Sequence, residues 1–434
     1  MITTIRNAWK IPELRKKLMF TLLILFIYRI GNRIPVPYVD VEALRTFFDQ
    51  TLSNTVLGFY NTLSGSAFSE ATILALSIQP YINASIIIQL LTIAIPALER
   101  LQSQGEEGRK KITTITRYVT VGLGLITSYG YYAYIKSTGA LISMTSQGQK
   151  VLAALVIIAC YSAGSALVMW MAEKINEFGI GNGISLILFA NILSSTPRIV
   201  SMLYSFFVSG RPWYIVAGEA IIIASLVIVV FVVFVTNSER RIPVQYAKKV
   251  VGRKMYGGQS SYLPIKLNMS GVMPIIFASS IISLPTTLAL IIKPNEGSVW
   301  DHIVNFFSYN SWFYPVAMFL LIIAFAYFYV EISFNPVEVA NNLQKNGGSI
   351  RGIRPGRPTV EYIRKVRGRI TLIGALFLDI VAVLPIIVNL VSGSSVGSIA
   401  FGGSSLLIIV GVALETVTEL EAQMTMRHYK GFLD

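Results

Sequence analysis

The sequence predicts an all-α, polytopic membrane protein whose ten transmembrane helices form two five-helix halves of opposite topology. Of its 434 residues, 53% are hydrophobic and only 13% are charged, whereas about a quarter of the residues in a soluble protein are charged. Disorder is also excluded, because the chain has 23 Phe, 21 Tyr and long aliphatic runs that disordered chains lack. One Cys and two distant His exclude an intrachain disulfide and offer no metal-ligand spacing.

The individual spans are predicted from stretches without charged residues, since a helix needs about 20 apolar residues to cross the hydrocarbon. Spans one (18–34) and nine (370–390) are accepted although the first contains Arg29 and Arg33 near its end and the second contains Asp379. The charge-free stretch 380–414 is too long for one helix and is rich in Gly and Ser at its middle, so we expect it to hold the end of span nine, a loop and span ten. The other seven spans are 71–98, 118–135, 151–172, 178–197, 220–238, 267–292 and 302–330.

Lysine and arginine are distributed unevenly between the two sides of this predicted bundle. With the N-terminus in the cytosol, 28 of them fall on the cytosolic side and 8 on the other side. The positive-inside rule therefore predicts that both termini are cytosolic. No apolar stretch with a cleavage site follows the basic start, so no removable signal peptide is predicted. The five-span halves 1–205 and 206–434 then have opposed topologies, as in inverted-repeat transport folds.

Two long cytosolic loops carry much of the excess positive charge. Residues 239–266 contain seven basic residues and one acidic residue, and their alternating apolar residues predict a hairpin. Residues 335–369 contain eight basic and two acidic residues, and predict a short helix from Pro336, a break at Gly347 and Gly348, and Thr359 as the N-cap of the next helix. Such loops either only enforce orientation and contact anionic lipid, or form a docking platform for a large acidic or polyanionic partner. Two structured projections on one face favour the platform.

The segment between spans one and two is unusual in composition. Residues 53–69 are too polar to span a membrane and too apolar for an ordinary solvated loop. A re-entrant piece sheltered inside the protein would explain both properties. An amphipathic helix on the outer leaflet would explain them equally well.

Seven sets of residues, in order along nearly the whole chain, resemble the SecY/Sec61-alpha family, which forms the central channel of the bacterial Sec protein translocase and its relatives. They are RIG at 29–31 with IPVP at 34–37, QPYINASIIIQLLT at 79–92, FGIGNGIS at 178–185, RRIPVQYAK at 240–248, LPIKLNMSGVMP at 263–274, FNP at 334–336 and GIRPG at 352–356. The resemblance implies a protein-conducting channel in the bacterial plasma membrane. It would move unfolded secretory polypeptides across the membrane and release transmembrane segments sideways into lipid.

The resemblance also implies a central pore that is constricted by a ring of aliphatic side chains. Part of this ring has independent support, because two pairs of its members are spaced i,i+4 and therefore face one direction on a helix. A narrow apolar neck dewets and blocks ions, while flexible side chains can close around a moving polypeptide. Carried over by position, the ring is Ile82, Ile86, Ile184, Leu188, Ile276 and Ile408.

By the same resemblance, residues 61–76 would be a plug that closes the outer funnel. Its small residues suit a loosely packed piece that leaves its seat repeatedly; the central plug residues are Ser64, Gly65, Ser66, Ala67, Phe68 and Ser69. Spans two and seven, backed by three and eight, would form a lateral gate for signal sequences. The prolines of span seven (Pro274, Pro285) and the glycines that begin span five (Gly179, Gly181, Gly183) either allow hinging or, for the glycines, only close helix packing.

The resemblance implies two partners that bind the basic loops, the SecA ATPase and the ribosome. Arg354 matches the family's critical arginine, and its guanidinium on a proline-stiffened turn suits a carboxylate or phosphate. The membrane subunits SecE and SecG, signal sequences, unfolded precursors and lipid are the other expected partners. The docking residues are Arg240, Arg241, Lys248, Lys249, Arg253, Lys254, Arg351, Arg354 and Arg357.

Two other classes of function are weighed against a channel. An intramembrane enzyme is disfavoured, because no paired aspartates, Cys/His pairs, two-His zinc motif or Gly-Lys of a phosphate-binding loop occurs; no catalytic residue, metal or cofactor is expected. An ion-coupled carrier would share ten spans but needs ionisable residues at membrane depth. Only Asp379 in span nine and Glu219 near the start of span six qualify, and we expect Asp379 to face a polar seam or to be neutral.

Overall fold

The computed structural model describes residues 2–48, 56–143, 146–208, 212–246, 249–251, 254–256, 260–292, 297–308, 311–392 and 402–430. Within these ranges the chain is mainly helical, with two small antiparallel sheets. The helices are α1 (Ile2–Lys10), α2 (Pro12–Gly31), α3 (Val41–Phe47), α4 (Val56–Leu63), α5 (Gln79–Ala94), α6 (Pro96–Ser103), α7 (Glu106–Ser137), α8 (Gln147–Phe178), α9 (Gly183–Val208), α10 (Pro212–Asn237), α11 (Met273–Ile282), α12 (Leu284–Ile291), α13 (Val299–Phe306), α14 (Phe313–Ser333), α15 (Pro336–Lys345), α16 (Arg357–Ser392) and α17 (Gly402–Lys430). The strands are β1 (Glu239–Tyr246), β2 (Lys249–Val251), β3 (Lys254–Tyr256), β4 (Ser260–Lys266) and β5 (Gly348–Ile350).

Every predicted span coincides with a helix or a pair of helices. In chain order these are α2, α5, α7, α8, α9, α10, the pair α11 and α12, α14, α16 and α17. Among the described residues, segments of α8, α10, α14 and α16 are long and apolar enough by themselves to cross a membrane, and the bent pair α5 and α6 would be a fifth. The remaining spans carry charges at one end, as α2 does, or are interrupted by proline, as α9 is at Pro197.

The second predicted span is shorter than expected, because residues 71–78 form turns before α5 begins. Ala71 and Ser77 have positive φ angles of 47° and 51°, which end any helix at this point. At the other end Ile95 is extended, with φ −110° and ψ 111°, as is usual for a residue before proline. The following helix, α6, therefore lies at 100° to α5.

Spans seven and eight also differ from their predicted bounds. Span seven begins at Met273 and is interrupted at Ser283, and Pro274 and Pro285 each occupy the first turn of one of its two helices. Proline is tolerated there because its missing N–H has no partner in a helix start. Span eight begins at Phe313 rather than 302, because α13 ends earlier in a turn in which the Ser308 N–H donates to the Asn305 carbonyl.

The hairpin predicted at 239–266 is present. β1 pairs antiparallel with β4, and also with β5 from the second basic loop, giving the order β4-β1-β5. Ile242 and Val244 of β1 are buried, and they pack with residues of α15 and α16. The two basic loops therefore form one structure with a common apolar core.

The predicted N-cap at Thr359 is wrong. Helix α16 begins two residues earlier, at Arg357, because Pro358 fits the first turn of a helix. The Thr359 hydroxyl instead donates to the Arg354 carbonyl at 2.9 Å. The short helix from Pro336 is confirmed as α15, whereas Gly348 belongs to β5 rather than to a break.

The main hydrophobic core joins the two halves of the chain. It contains side chains from α2, α5, α8 and α9 of the first half and from α10, α11, α14, α16 and α17 of the second. A second cluster packs residues 36–48 and part of 61–76 against α7 and α8. The predicted boundary at 205/206 falls inside α9, which continues to Val208, and the division into halves stays a prediction.

Candidate channel constriction and plug

The six side chains predicted to form the ring come from four helices and lie in one apolar cluster. Ile82, Ile86, Leu188, Ile276 and Ile408 are at most 3% exposed, and Ile184 is partly buried against the same cluster. Helix α5 contributes Ile82 and Ile86, α9 contributes Ile184 and Leu188, α11 contributes Ile276, and α17 contributes Ile408. Aliphatic side chains from α5, α9, α11 and α17 therefore share one apolar cluster in the interior of the protein.

Close helix packing explains two of the three glycines that precede α9. A Cβ on Gly183 would lie 2.1 Å from the carbonyl oxygen of Ala172, and a Cβ on Gly179 would lie 2.6 Å from Oγ1 of Thr21. Both distances are far below van der Waals contact, so any larger residue would push α9 away from α8 and α2. Gly181 differs, since its φ of +86° is a backbone conformation that favours glycine.

The predicted plug segment is folded into the protein. Helix α4 ends at Leu63, and successive turns follow up to Ile78. Main-chain hydrogen bonds fasten these turns to the end of α2: the Val36 N–H donates to the Ala71 carbonyl at 3.0 Å, and the Ile73 N–H donates to the Ile34 carbonyl at 2.9 Å. These hydrogen bonds thus fix the turns of the segment to the preceding part of the chain.

Most side chains of the plug segment are buried. Ser64, Ala67, Phe68 and Ser69 are at most 4% exposed, while Gly65 and Ser66 are partly buried. Among the described residues this favours the sheltered re-entrant segment over an amphipathic helix on the outer leaflet. The expectation that the segment is loosely packed is wrong, because its apolar side chains pack against side chains of the surrounding helices.

Phe68 provides the main apolar anchor of the plug segment. Its ring centroid lies 4.4 Å from that of Tyr131, 6.0 Å from Phe48 and 6.1 Å from Tyr134. Such aromatic pairs contribute about 0.5–1.5 kcal/mol each beyond the burial of area. The Tyr131 hydroxyl also donates to the Phe68 carbonyl, so both the side chain and the main chain of Phe68 are held by α7.

Among the described residues, Arg240, Arg241 and Arg351 are solvent-exposed and lie close together on one small sheet. Arg240 and Arg241 lie on β1, whose Val244 pairs with Ile350 of β5, next to Arg351. Arg241 bonds the Glu239 carboxylate at 2.7 Å, which raises the pKa of Arg241, and its guanidinium stacks 4.7 Å from the Tyr262 ring centroid. An exposed ion pair of this kind contributes little to stability, so these cations remain accessible to a partner.

The structure gives different amounts of detail for the remaining predicted docking residues. Arg354 and Arg357 are exposed at the turn before α16, and Arg357 lies 3.5 Å from the Glu361 carboxylate. The backbone of Lys249 belongs to β2 and that of Lys254 to β3. Lys248 and Arg253 lie outside the described residues.

The two acidic residues that would suit a carrier do not form a site together. Glu219 is exposed on α10, whereas Asp379 is 2% exposed on α16. Neither carboxylate oxygen of Asp379 has a hydrogen-bond partner within the described residues, so the expected polar seam is not found there. The described residues also contain no group of three His, Cys, Asp or Glu that could hold a metal ion.

Comparison with known proteins identifies the fold and its function. A family model described as SecY matches residues 72–417. The chain is 45% identical to a protein translocase subunit SecY of Streptomyces scabiei and 42% identical to one of Corynebacterium glutamicum, in each case over the full length of both proteins. The chain belongs to the SecY family.

Solved structures agree with this family. A protein-conducting channel superposes with a TM-score of 0.65 at 20% identity, and Sec61 in a canine ribosome-channel complex from the endoplasmic reticulum superposes with a TM-score of 0.61 at 20% identity. Both matches cover 97% of each chain. The resemblance seen in the motifs and the expected all-α polytopic fold are thereby confirmed, and the chain is a subunit of a protein translocase.

The sequence analysis missed residues that hold the plug segment of this SecY family member. Asn191 on α9, Asn32 after α2, and Tyr131 and Tyr161 on α7 and α8 all donate to its main-chain carbonyls. Each lies in or beside an apolar stretch, where a single amide or hydroxyl produces no periodic pattern. The one available signal was the presence of Asn inside a predicted span, since a buried amide requires partners.

Proposed function

We propose that unfolded polypeptides pass through the apolar cluster formed by Ile82, Ile86, Ile184, Leu188, Ile276 and Ile408, and that residues 61–76 close this path at rest. The observation that supports the proposal most directly is that these six side chains, from α5, α9, α11 and α17, belong to or pack against one buried apolar cluster. In this proposal the chain catalyses no reaction, and a partner supplies the energy that moves the polypeptide.

An aliphatic constriction suits this function for two reasons. A narrow neck without polar groups dewets, so ions meet a barrier when no polypeptide is present. Isoleucine and leucine side chains contact a substrate through dispersion, which has no directional requirement. A ring of this kind can therefore fit around many different sequences and still exclude ions.

We propose that the lateral gate lies between α5, backed by α7, on one side and the pair α11 and α12, backed by α14, on the other. Across this seam the Ser280 hydroxyl donates to the Gln79 amide oxygen at 3.5 Å, and α12 contacts α7. A cavity of about 20 Å³ at the seam is lined by Tyr60, Asn83, Thr127 and Thr287 among others, which is room for about one water molecule. The length of the hydrogen bond between Ser280 and Gln79 is consistent with an interface that opens to lipid.

The exposed arginines on β1 and around Arg354 are proposed to bind SecA after synthesis and the ribosome during synthesis. Their convergence on a single sheet supports one docking surface rather than two independent loops. This surface would face the cytosol of a bacterial cell, with both termini on the same side of the plasma membrane. SecE and SecG would be the accompanying membrane subunits.

Site-specific crosslinking tests the path of the polypeptide. In a Cys160→Ser background, Ile276→Cys places the thiol in the ring, whereas Leu226→Cys places it on a face of α10 where Leu226 is 62% exposed. A stalled secretory precursor with one cysteine should form a disulfide with Ile276→Cys and not with Leu226→Cys. Crosslinking at Leu226→Cys alone would contradict the proposed path.

Charge reversal tests the docking surface. Arg354→Glu should abolish SecA-driven export into inverted membrane vesicles, because a carboxylate repels the acidic or phosphate partner that the guanidinium binds. Arg45→Glu, at an exposed arginine of α3 on the proposed outer side, is the control and should leave export unchanged. Co-purification with SecE should be normal in both variants, and export by Arg354→Glu at the wild-type rate would show that this loop only sets orientation.

A further inference from the structure

The plug segment is held mainly through its main chain. Three carbonyls accept hydrogen bonds from side chains of the transmembrane helices: Leu63 from Asn191 Nδ2 at 2.7 Å, Phe68 from the Tyr131 hydroxyl, and Ala71 from the Tyr161 hydroxyl at 3.5 Å. A fourth carbonyl, that of Ser64, accepts from Asn32 Nδ2 at 3.3 Å. The seat of the segment is thus specified by donors on its surroundings rather than by its own small side chains.

Asn191 is the centre of this arrangement and is fully buried, at 0% exposure. Besides the Leu63 carbonyl, its Nδ2 lies 2.8 Å from the Tyr28 hydroxyl and 3.1 Å from the Ser77 hydroxyl. Its Oδ1 accepts from Asn32 Nδ2 at 3.3 Å. One amide on α9 therefore connects α2 with Leu63 near the start of the plug segment and with Ser77, which follows the segment directly.

Asn191 also continues the face of α9 that carries the ring. Ile184, Leu188 and Asn191 are spaced i, i+4 and i+7, which places them on one side of a helix. The first two side chains belong to the aliphatic cluster, and the third contacts the plug segment. The ring and the plug are therefore contacted by one face of the same helix.

The fit around Asn191 leaves no space at the tip of the plug. Gly65 has a φ of +67°, and a Cβ at this position would lie 2.8 Å from the Ser194 hydroxyl and 3.0 Å from both Arg29 Nη1 and Asn191 Oδ1. The hydrogen bond from Asn191 Nδ2 to the Leu63 carbonyl therefore exists only when the segment is seated, whereas Tyr28 and Asn32 lie outside the segment. This bond stabilises the closed arrangement and is lost when the segment leaves.

We infer that Asn191 is the positioning residue of the closed plug and that its amide sets how strongly a signal sequence must bind in order to open the channel. This inference rests on the proposed role of residues 61–76. A ligand shifts a two-state equilibrium only by its differential affinity for the two states. Bonds that exist only in the closed state therefore raise the binding strength that opening requires, and weakly binding signal sequences are excluded first.

The test compares precursors that differ only in the hydrophobicity of the signal sequence. In vesicles containing the complete translocase, Asn191→Leu keeps the branched shape of the side chain but donates no hydrogen bond. The precursor with the weak signal should be translocated about tenfold faster, the expected effect of losing one or two buried hydrogen bonds. The precursor with the strong signal should be unchanged, because its binding already exceeds the threshold.

Two further variants separate this role from a general effect on folding. Asn191→Ala removes the amide without adding apolar contacts and should change the weak-to-strong ratio in the same direction. Ser195→Ala alters a neighbouring buried hydroxyl that, within the part of the chain that the structure describes, bonds to the Asn191 carbonyl of the same helix at 3.5 Å, and should leave the ratio unchanged. An unchanged ratio in both Asn191 variants, or an equal loss for both precursors, would overturn the inference.

Labelling of the plug distinguishes failure of this inference from failure of the proposed function. In the Cys160→Ser background, Ser66→Cys should react with an impermeant maleimide from the outer side about tenfold faster at rest when Asn191→Leu is also present. If Ser66→Cys reacts faster during translocation but is unaffected by Asn191→Leu, the plug moves without control by Asn191. If translocation itself does not change the labelling, both the plug assignment and this inference are wrong.

Discussion

The ring and the plug close the same path with different kinds of interaction. Ring residues such as Ile86 and Ile408 are buried in one apolar cluster, where side chains interact through aliphatic surface that has no preferred direction. The plug is held by hydrogen bonds from Asn191, Asn32 and two tyrosines, which require one geometry. A seal around variable substrates therefore has to use non-directional interactions, whereas a plug that returns to one position has to use directional ones.

The largest effect is expected when polar side chains are introduced into the ring. In the double variant Ile86→Ser and Ile408→Ser, hydroxyls replace side chains that are 3% and 1% exposed. Water then occupies the neck, and ion conductance across reconstituted vesicles should rise on the order of tenfold. Leu226→Ser at an exposed position of α10 serves as the control. Unchanged conductance in the double variant would remove the ring as a barrier to ions.

The directional seat of the plug is tested by Gly65→Ala. The positive φ and the clash with the Ser194 hydroxyl together should cost about 1–3 kcal/mol in the seated state. This corresponds to an increase in resting conductance of about fivefold or more.

Gly105→Ala is the matched control for this variant, since Gly105 has a φ of +76° and no heavy atom within 4 Å of a Cβ. It carries the backbone strain without the contact to α9. An equal increase in conductance for both variants would show that the plug seat has no specific role.

A milder substitution tests whether the ring depends on the exact shape of its side chains. Ile86→Leu conserves volume and should leave both resting conductance and the translocation rate within about twofold of wild type, since such swaps usually cost less than about 1.5 kcal/mol. Measuring both quantities in the same vesicles checks this. A large change would mean that the ring depends on an exact shape and is directional after all.

The smallest effect is expected at Asp379. Its carboxylate is buried on α16 without a hydrogen-bond partner among the described residues, and neither seal uses it. Asp379→Asn should therefore leave precursor export unchanged. Loss of export together with loss of proton-coupled uptake of a small solute would favour a carrier instead.

Much of the fold followed from the positions of charged residues. Eight of the ten spans were predicted because burying a charge in hydrocarbon is costly, so charge-free stretches mark helices in the membrane. Spans one and nine, which contain charged residues, were predicted from their otherwise apolar sequence. Their bounds were less accurate where the cause was local: residues 71–78 are apolar but turn, and Ser283 interrupts an apolar run beside Pro285. Hydrophobicity indicates burial and does not distinguish a helix from buried turns.

The candidate site could be predicted only in part for a similar reason. The pairs Ile82/Ile86 and Ile184/Leu188 have helical spacing, but the partner helices that complete the ring were assigned through the family resemblance. Composition left residues 53–69 undecided between a sheltered segment and a surface helix, because both contain the same mixture of side chains. The contacts of Asn191 join residues up to 163 positions apart, and no local pattern contains that information.

The shared face of Ile184, Leu188 and Asn191 has a mechanical consequence. Because α9 is a stiff rod, an axial rotation that withdraws the two aliphatic side chains also withdraws the amide from Leu63. Widening of the neck and release of its cover thus happen in one concerted step. Single-channel recordings should accordingly show an all-or-none current, without a long-lived sublevel between the shut and conducting states.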